Sequence, residues 1–276
     1  MRTLASRFRS VNMIRSDKPL SDDQIMQYAP SIYAREPHES RSERYTYIPT
    51  SDVLAGLRKE GFMPFMACQT RVRKEGKREH TKHMIRLRHA DQITGKEANE
   101  IILLNSHDGS SSYQMLAGMF RFVCSNGLIV GETSSDIRVP HKGDVTGRVI
   151  EGAYEVLDNF ERVEEQRDGM RSIMLSPAEQ GLLAQAALSY RYDPQDGPAP
   201  VTADQLLHAR RFEDRQGDLW TTFNRVQENI IKGGLSGRNK KGRSTTTRPV
   251  TGMDKDTALN RALWVLSEGM RSLKAA

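Results

Sequence analysis

Ser106, His107 and Asp108 place the three side-chain types of an acyl-transfer triad next to one another. A triad needs those groups to converge from different elements, and consecutive residues cannot stack that way. Residues 105–111 are therefore expected to form a turn, with Ser110 or Ser111 capping a following helix whose free amides could receive a phosphate. The histidines, His38, His80, His83, His89, His107, His141 and His208, include no pair at the i, i+4 spacing that clasps zinc on a helix. With the only cysteines at Cys68 and Cys124, no metal site is expected. The glycine-rich stretch Gly233-Gly234-Leu235-Ser236-Gly237-Arg238 lacks the Gly-Lys-Ser/Thr ending of a phosphate-cradling loop, and no strand leads into it. No catalytic residue, metal or cofactor is assigned.

The stronger chemical pattern is cationic. Residues 71–89 hold eight basic side chains, Arg71, Arg73, Lys74, Lys77, Arg78, Lys82, Arg86 and Arg88, against Glu75 and Glu79. That surplus of six equals the formal net charge of the whole chain, +6. Strand alternation puts Met66, Cys68, Thr70 and Val72 on one face, with Arg71 and Arg73 on the other. Ile85 and Leu87 alternate likewise with Arg86 and Arg88. Pairing through a turn near Glu75 and Gly76 then predicts a hairpin with one apolar and one solvated cationic face, extended by His80, His83 and His89. Charged edge strands also guard against aggregation, but a merely solvated face would mix signs. A second cationic stretch, 232–250, carries Lys232, Arg238, Lys240, Lys241, Arg243 and Arg248 with no acidic residue. Its glycines predict a flexible loop that orders on a phosphate chain.

The elements that position these groups follow from pattern. Residues 1–49 are expected to be an irregular arm with one short helix from Ser21 to Tyr28. A core at 50–143 begins with a helix at Thr50-Ser51-Asp52 that Gly61 closes. Ile101 to Leu104, apolar on both faces, predicts a central strand, and Met115, Leu116, Met119, Phe120 and Val123 recur at helical spacing. Asn126-Gly127 turns the chain into a strand at Leu128. The region 144–276 is helical: a long helix from Asp144 to Arg167, one opening at Ser176-Pro177-Ala178-Glu179, and two more at 218–232 and 254–273. Trp220 and Phe223, on an amphipathic helix, are assigned to the core, whereas Tyr45 and Tyr47 beside Arg41 and Arg44 are the better base-stacking candidates. The fold class is α+β: a small antiparallel sheet in a β-β-β-α core, followed by a helical C-terminal half.

A length of 276 residues with 37% hydrophobic residues suffices for a sizeable core. No apolar run reaches the ~18 residues of a membrane span. The first residues lack an export signal's apolar stretch, and two cysteines in apolar surroundings fit reduced thiols, so a cytoplasmic protein is expected. A pI near 9.3 suits a polyanion partner.

The segment 105–111, followed by Phe120-Arg121-Phe122-Val123-Cys124-Ser125-Asn126-Gly127-Leu128, resembles the hallmark of an uncharacterised family borne on plasmids and prophages, domain of unknown function nine-three-two. The resemblance implies a mobile-DNA setting and no specific activity. The expected order of helix, basic hairpin, third strand and helix is also similar to the core of single-strand annealing proteins, the superfamily of the eukaryotic recombination annealing protein and Red-beta. That likeness implies a homo-oligomeric ring or filament with single-stranded DNA in an outer cationic groove. The third, Ile-rich strand and the helical C-terminal half depart from it.

These observations lead to an expected single-stranded DNA-binding protein, with RNA as the alternative ligand, active in annealing or recombination without nucleotide hydrolysis. Arg71, Arg73, Arg86 and Arg88 would grip phosphates, Lys74, Lys77 and Arg78 would extend the grip, and Lys240, Lys241 and Arg243 would clamp from the loop. Ser110 and Ser111 are the further phosphate candidates. Two rivals are a counter-defence or regulatory protein binding another protein through its helical half, and a metal-dependent hydrolase or nuclease using His107 and Asp108.

Overall fold

In the computed structural model, which describes residues 12–36, 47, 49–70, 75–89, 93–94, 97–108, 111–124, 126–131 and 136–275, the chain is α+β, with an antiparallel sheet in its first half and helices concentrated in its second. It divides into two compact units, Met1–Gly127 with Ser134–Phe160, and Leu128–Thr133 with Glu161–Ala276.

The first unit is built on a sheet of β1 (Met13–Arg15), β2 (Phe62–Gln69), β3 (His83–His89), β4 (Ile93–Thr94), β5 (Glu97–Asn105), β6 (Tyr113–Arg121), β7 (Asn126–Ile129) and β8 (Ile137–Val139). The strand order is β1-β2-β3-β5-β6-β7, with β4 on β5 and β8 on β6. β5 is central and buried along its whole length, as its doubly apolar Ile101–Leu104 run requires. The supposed arm contributes β1 to the sheet and α1 (Asp22–Tyr28), whose Ser21 and Gln24 form a reciprocal capping box. Helix α2 (Thr50–Lys59) ends at Gly61, whose φ of 87° suits glycine alone, and any Cβ there would meet the His89 ring. Helix α3 (Val145–Asp158) opens on Asp144, which accepts from the Gly147 amide. Its Gly152 lies against Met115 of β6 and Ile137 of β8, so the helix backbone comes close to the sheet.

Two expectations need correction here. Residues 113–121 are strand β6, paired with β5 from Glu97↔Arg121 to Leu104↔Gln114, and only Phe122–Cys124 forms a single 3-10 turn. The apolar residues matched helical spacing because β6 is buried on both faces, which erases the alternation that marks a strand. The β-β-β-α order, on which the annealing likeness rested, is thus replaced by a further strand. The basic hairpin also differs: β2 stops at Gln69 and a 3-10 turn, Glu75–His80, leads into β3.

The second unit holds α4 (Phe160–Ser172), α5 (Pro177–Arg191), α6 (Ala203–Leu206), α7 (Leu219–Lys232) and α8 (Met253–Ala275). The expected continuous helix over 144–167 is broken at Asn159, which caps α3 by returning its side-chain amide to the Glu155 carbonyl. Helix α5 starts with the Ser176–Glu179 capping box and Pro177 in its first turn, as expected. Trp220, Phe223 and Trp264 form the aromatic core, with Trp220 and Phe223 stacked at 5.4 Å and Trp264 edge-on to both. The cationic loop is ordered as an antiparallel ribbon of β9 (Ser236–Arg238) and β10 (Ser244–Thr246). Among the described residues no helix is long and apolar enough to cross a membrane.

Candidate functional site

Register brings polar residues together at one end of the first unit's sheet. Gln69, His83 and Asn105 stand in one cross-strand row, and Tyr113 follows one step beyond the Leu104↔Gln114 pair. Thr50, the first residue of α2, sets its hydroxyl over that row. The Thr50 Oγ1 lies 2.9 Å from His83 Nε2, 3.0 Å from Asn105 Nδ2, 3.1 Å from the Tyr113 hydroxyl and 3.3 Å from His107 Nε2. The Thr81 carbonyl, 3.1 Å from His83 Nδ1, can only accept, so that nitrogen carries the proton and Nε2 accepts from Thr50. The Asn105 amide donates to Thr50, and its oxygen receives His141 Nε2 at 3.0 Å. Burial pushes the His83 pKa down to about 4 and that of His107 to about 2, and lowers that of His141. All three are therefore neutral. A hydroxyl, an imidazole and an orienting carbonyl in line is a nucleophile–base arrangement. Thr50 and His83 are only 0% and 1% exposed, so the network ties the start of α2 to the sheet and presents nothing to a substrate.

Arg86 and Arg88 are not on a solvated face. Each is 2% exposed, and both are ion-paired with Glu100 on β5, Arg86 at 3.0 Å and Arg88 at 2.9 Å. The Arg88 guanidinium also lies 4.3 Å from the Phe65 ring centroid and 4.2 Å from that of Phe120. Glu100 faces Gly118 across the β5–β6 ladder. Glu100 thus pairs with both buried cations, while Arg86 also reaches the Gly127 carbonyl at 3.5 Å and Arg88 rests against aromatic faces. His83 leaves the supposed cationic face for the same reason, being buried and neutral.

The other expected contacts divide. Arg71, Arg73, Lys74, Ser110 and Tyr45 lie outside the described residues, as does the side chain of Lys77. Arg78 is exposed. Ser111 is 8% exposed and turned inward: its amide donates to Ser106 Oγ at 2.8 Å, its carbonyl receives the Ser106 hydroxyl, and its own hydroxyl receives Gln114. It caps no helix and offers no open phosphate site, because a strand follows. Tyr47 spends its hydroxyl on the Ala34 carbonyl and packs its ring on His107. Lys240, Lys241 and Arg243 are exposed at the tip of the β9–β10 ribbon, joined by exposed Arg238. The tip is fixed: Asn239 Oδ1 accepts from the amides of Lys241 and Arg243 at 2.9 and 3.1 Å, and Arg238 Nη1 donates to the Gly242 carbonyl at 2.9 Å.

Two groups escaped the sequence reading, Thr50 and Glu100. Thr50 looked like a helix cap, yet α2 has no side-chain cap and spends that hydroxyl on the sheet. Glu100, an acid leading into an apolar central strand, was the available sign that Arg86 and Arg88 had a buried partner.

The family described as Domain of unknown function (DUF932) matches residues 37–264. The chain is 60% identical to UPF0380 protein YafZ of Escherichia coli (strain K12) over 270 residues, 98% of either chain. It is 61% identical to UPF0380 protein YfjQ of the same organism over 268 residues, 97% of either chain. No solved structure matches.

Proposed function

Because the chain belongs to the DUF932 family, whose description carries no activity, we propose a function from its own residues: it binds single-stranded nucleic acid, DNA in the first instance, through the β9–β10 ribbon. The observation that carries this reading is the ribbon tip, where Arg238, Lys240, Lys241 and Arg243 are all exposed and residues 232–250 hold no carboxylate. A turn held by its own Asn239 presents those charges without first having to be ordered, so less conformational entropy opposes binding. Neutralised phosphates release counterions, which makes such binding steeply salt-dependent. The tip has no acid to read base edges, and the Asn239 carbonyl oxygen is committed to the turn, so sequence preference is slight. Annealing is not part of the proposal, as the strand replacing its expected helix removes the likeness that suggested it.

The test is equilibrium binding of a labelled single-stranded oligonucleotide. Affinity should fall by orders of magnitude between about 50 and 200 mM salt. Binding that is equal at both, or absent at the lower, rejects the reading.

A further inference from the structure

Beside the ribbon, α5 and the loop after it enclose a cleft of about 330 Å³, at the small end of ligand-sized sites. Leu188, Tyr192, Pro194, Pro198 and Ala199 give it apolar walls, while Gln185 and Ser189 add an amide and a hydroxyl. Arg191 sets its guanidinium 5.1 Å from the Tyr192 ring centroid and so steadies the ring. The cleft and the ribbon are one piece of the second unit. The Arg238 amide donates to the Pro200 carbonyl at 3.0 Å, and Gln205 holds the Ser236 carbonyl at 2.8 Å. Gly197, at φ 108°, makes room for Lys240, whose methylenes lie 3.4 to 3.6 Å from where a Cβ would stand. The Lys240 stem therefore crosses the cleft's rim.

We propose that this cleft receives one unpaired base of a single-stranded nucleic acid, against Tyr192, while the adjoining phosphates lie on Lys240 and its ribbon neighbours. The inference rests on the nucleic-acid reading above and extends it from charge to stacking. A flat π-face against a tyrosine and prolines suits any base, and Gln185 and Ser189, whose side chains make no hydrogen bond among the described residues, can meet its edge. The cations at the rim supply the charge complementarity that an uncharged apolar ligand would not need. Asp193, between Tyr192 and Pro194, accepts from the Gln195 amide, and Asp196 opposes at the rim, 4.0 Å from the Lys240 ammonium. With side chains 62% and 82% exposed, that pair is too weakly held to keep the ammonium from a phosphate.

The experiment compares wild type with Tyr192→Ala, Ser189→Trp and Tyr190→Ala, each checked for an unchanged melting curve. The probes are an oligothymidylate and the same length bearing abasic residues. Ser189 is exposed on α5, so a tryptophan there fills the cleft from its rim without disturbing the core. Tyr190 is exposed but outside the cleft wall and serves as the control. Tyr192→Ala and Ser189→Trp should each weaken oligothymidylate binding by about tenfold, leave the salt slope unchanged, and match wild type on the abasic strand; Tyr190→Ala should change nothing. Wild-type affinity in both cleft variants, or an equal loss on the abasic strand, overturns the base cleft while the ribbon reading stands. Failure of wild type to bind either probe at low salt overturns both.

Discussion

Among single residues, burial reassigns the most. Arg86 and Arg88 have the alternation of a solvated strand face, yet each is 2% exposed and shares Glu100. Removing one member of such a group strands charge in the interior. Glu100→Ala or Arg88→Ala should cost about 3 to 5 kcal/mol in urea unfolding, where a surface cation would cost almost nothing. A loss below about 0.5 kcal/mol would place Arg88 back in solvent. The histidines make a second residue-level prediction. Burial lowers the pKa of His83 from 6.5 to about 4 and that of His107 from 6.5 to about 2, so the unfolded chain takes up protons first. Stability is then full above pH 6.5 and declines as pH falls from there toward each folded value. By two pH units below the unfolded value each imidazole should have cost roughly 3 kcal/mol. Urea midpoints at pH 7.5 and 5.5 fall mostly above the range of ordinary carboxylates and should already differ. A flat profile there would contradict a closed, neutral cluster.

At the scale of elements, what could be seen in the sequence was whatever depends on near neighbours. The Ser21–Gln24 and Ser176–Glu179 boxes, the Asp144 and Asp218 caps and the Gly61 stop all use groups within a few residues, and each marks a helix end in the structure. Strand β6 was missed because a strand apolar on both faces shows no period of two, and 113–123 fits a helix equally well. The ribbon was missed because the glycines of 232–250, Gly237 among them, suggested freedom, whereas Gly237 is needed for contact. A Cβ at Gly237 would collide with the Pro200 carbonyl. Gly237→Ala should thus lift the ribbon from the 193–200 loop, speed proteolysis within 238–243 and weaken nucleic-acid binding, although no charge is removed. Unaltered protease resistance would show that the contact does not hold the ribbon. Ser176→Ala, by contrast, removes only a cap and should cost about 1 kcal/mol by thermal unfolding, with binding retained.

For the whole molecule, the α+β class and the family were legible, the first from local periodicity and the second from the 105–128 residue pattern. The distribution of usable charge was not, because it depends on partners distant in sequence. Arg86 finds Glu100 through strand register and Thr50 finds His83 across 33 residues, neither of which spacing can reveal. The net charge of +6 equals the surplus in 71–89, yet two of that segment's cations are buried, and the second cationic stretch, 232–250, holds the exposed tip. The proposed phosphate grip therefore rests on Lys240, Lys241 and Arg243. Its most direct test is the slope of log affinity against log salt for single-stranded DNA, measured in parallel for wild type and Lys240→Ala/Lys241→Ala/Arg243→Ala. Each lost phosphate contact should flatten the slope by about 0.7, so the triple variant should bind more weakly with a slope up to about 2 shallower. An unchanged slope and affinity in a folded triple variant would contradict the assignment of the ribbon as the phosphate grip.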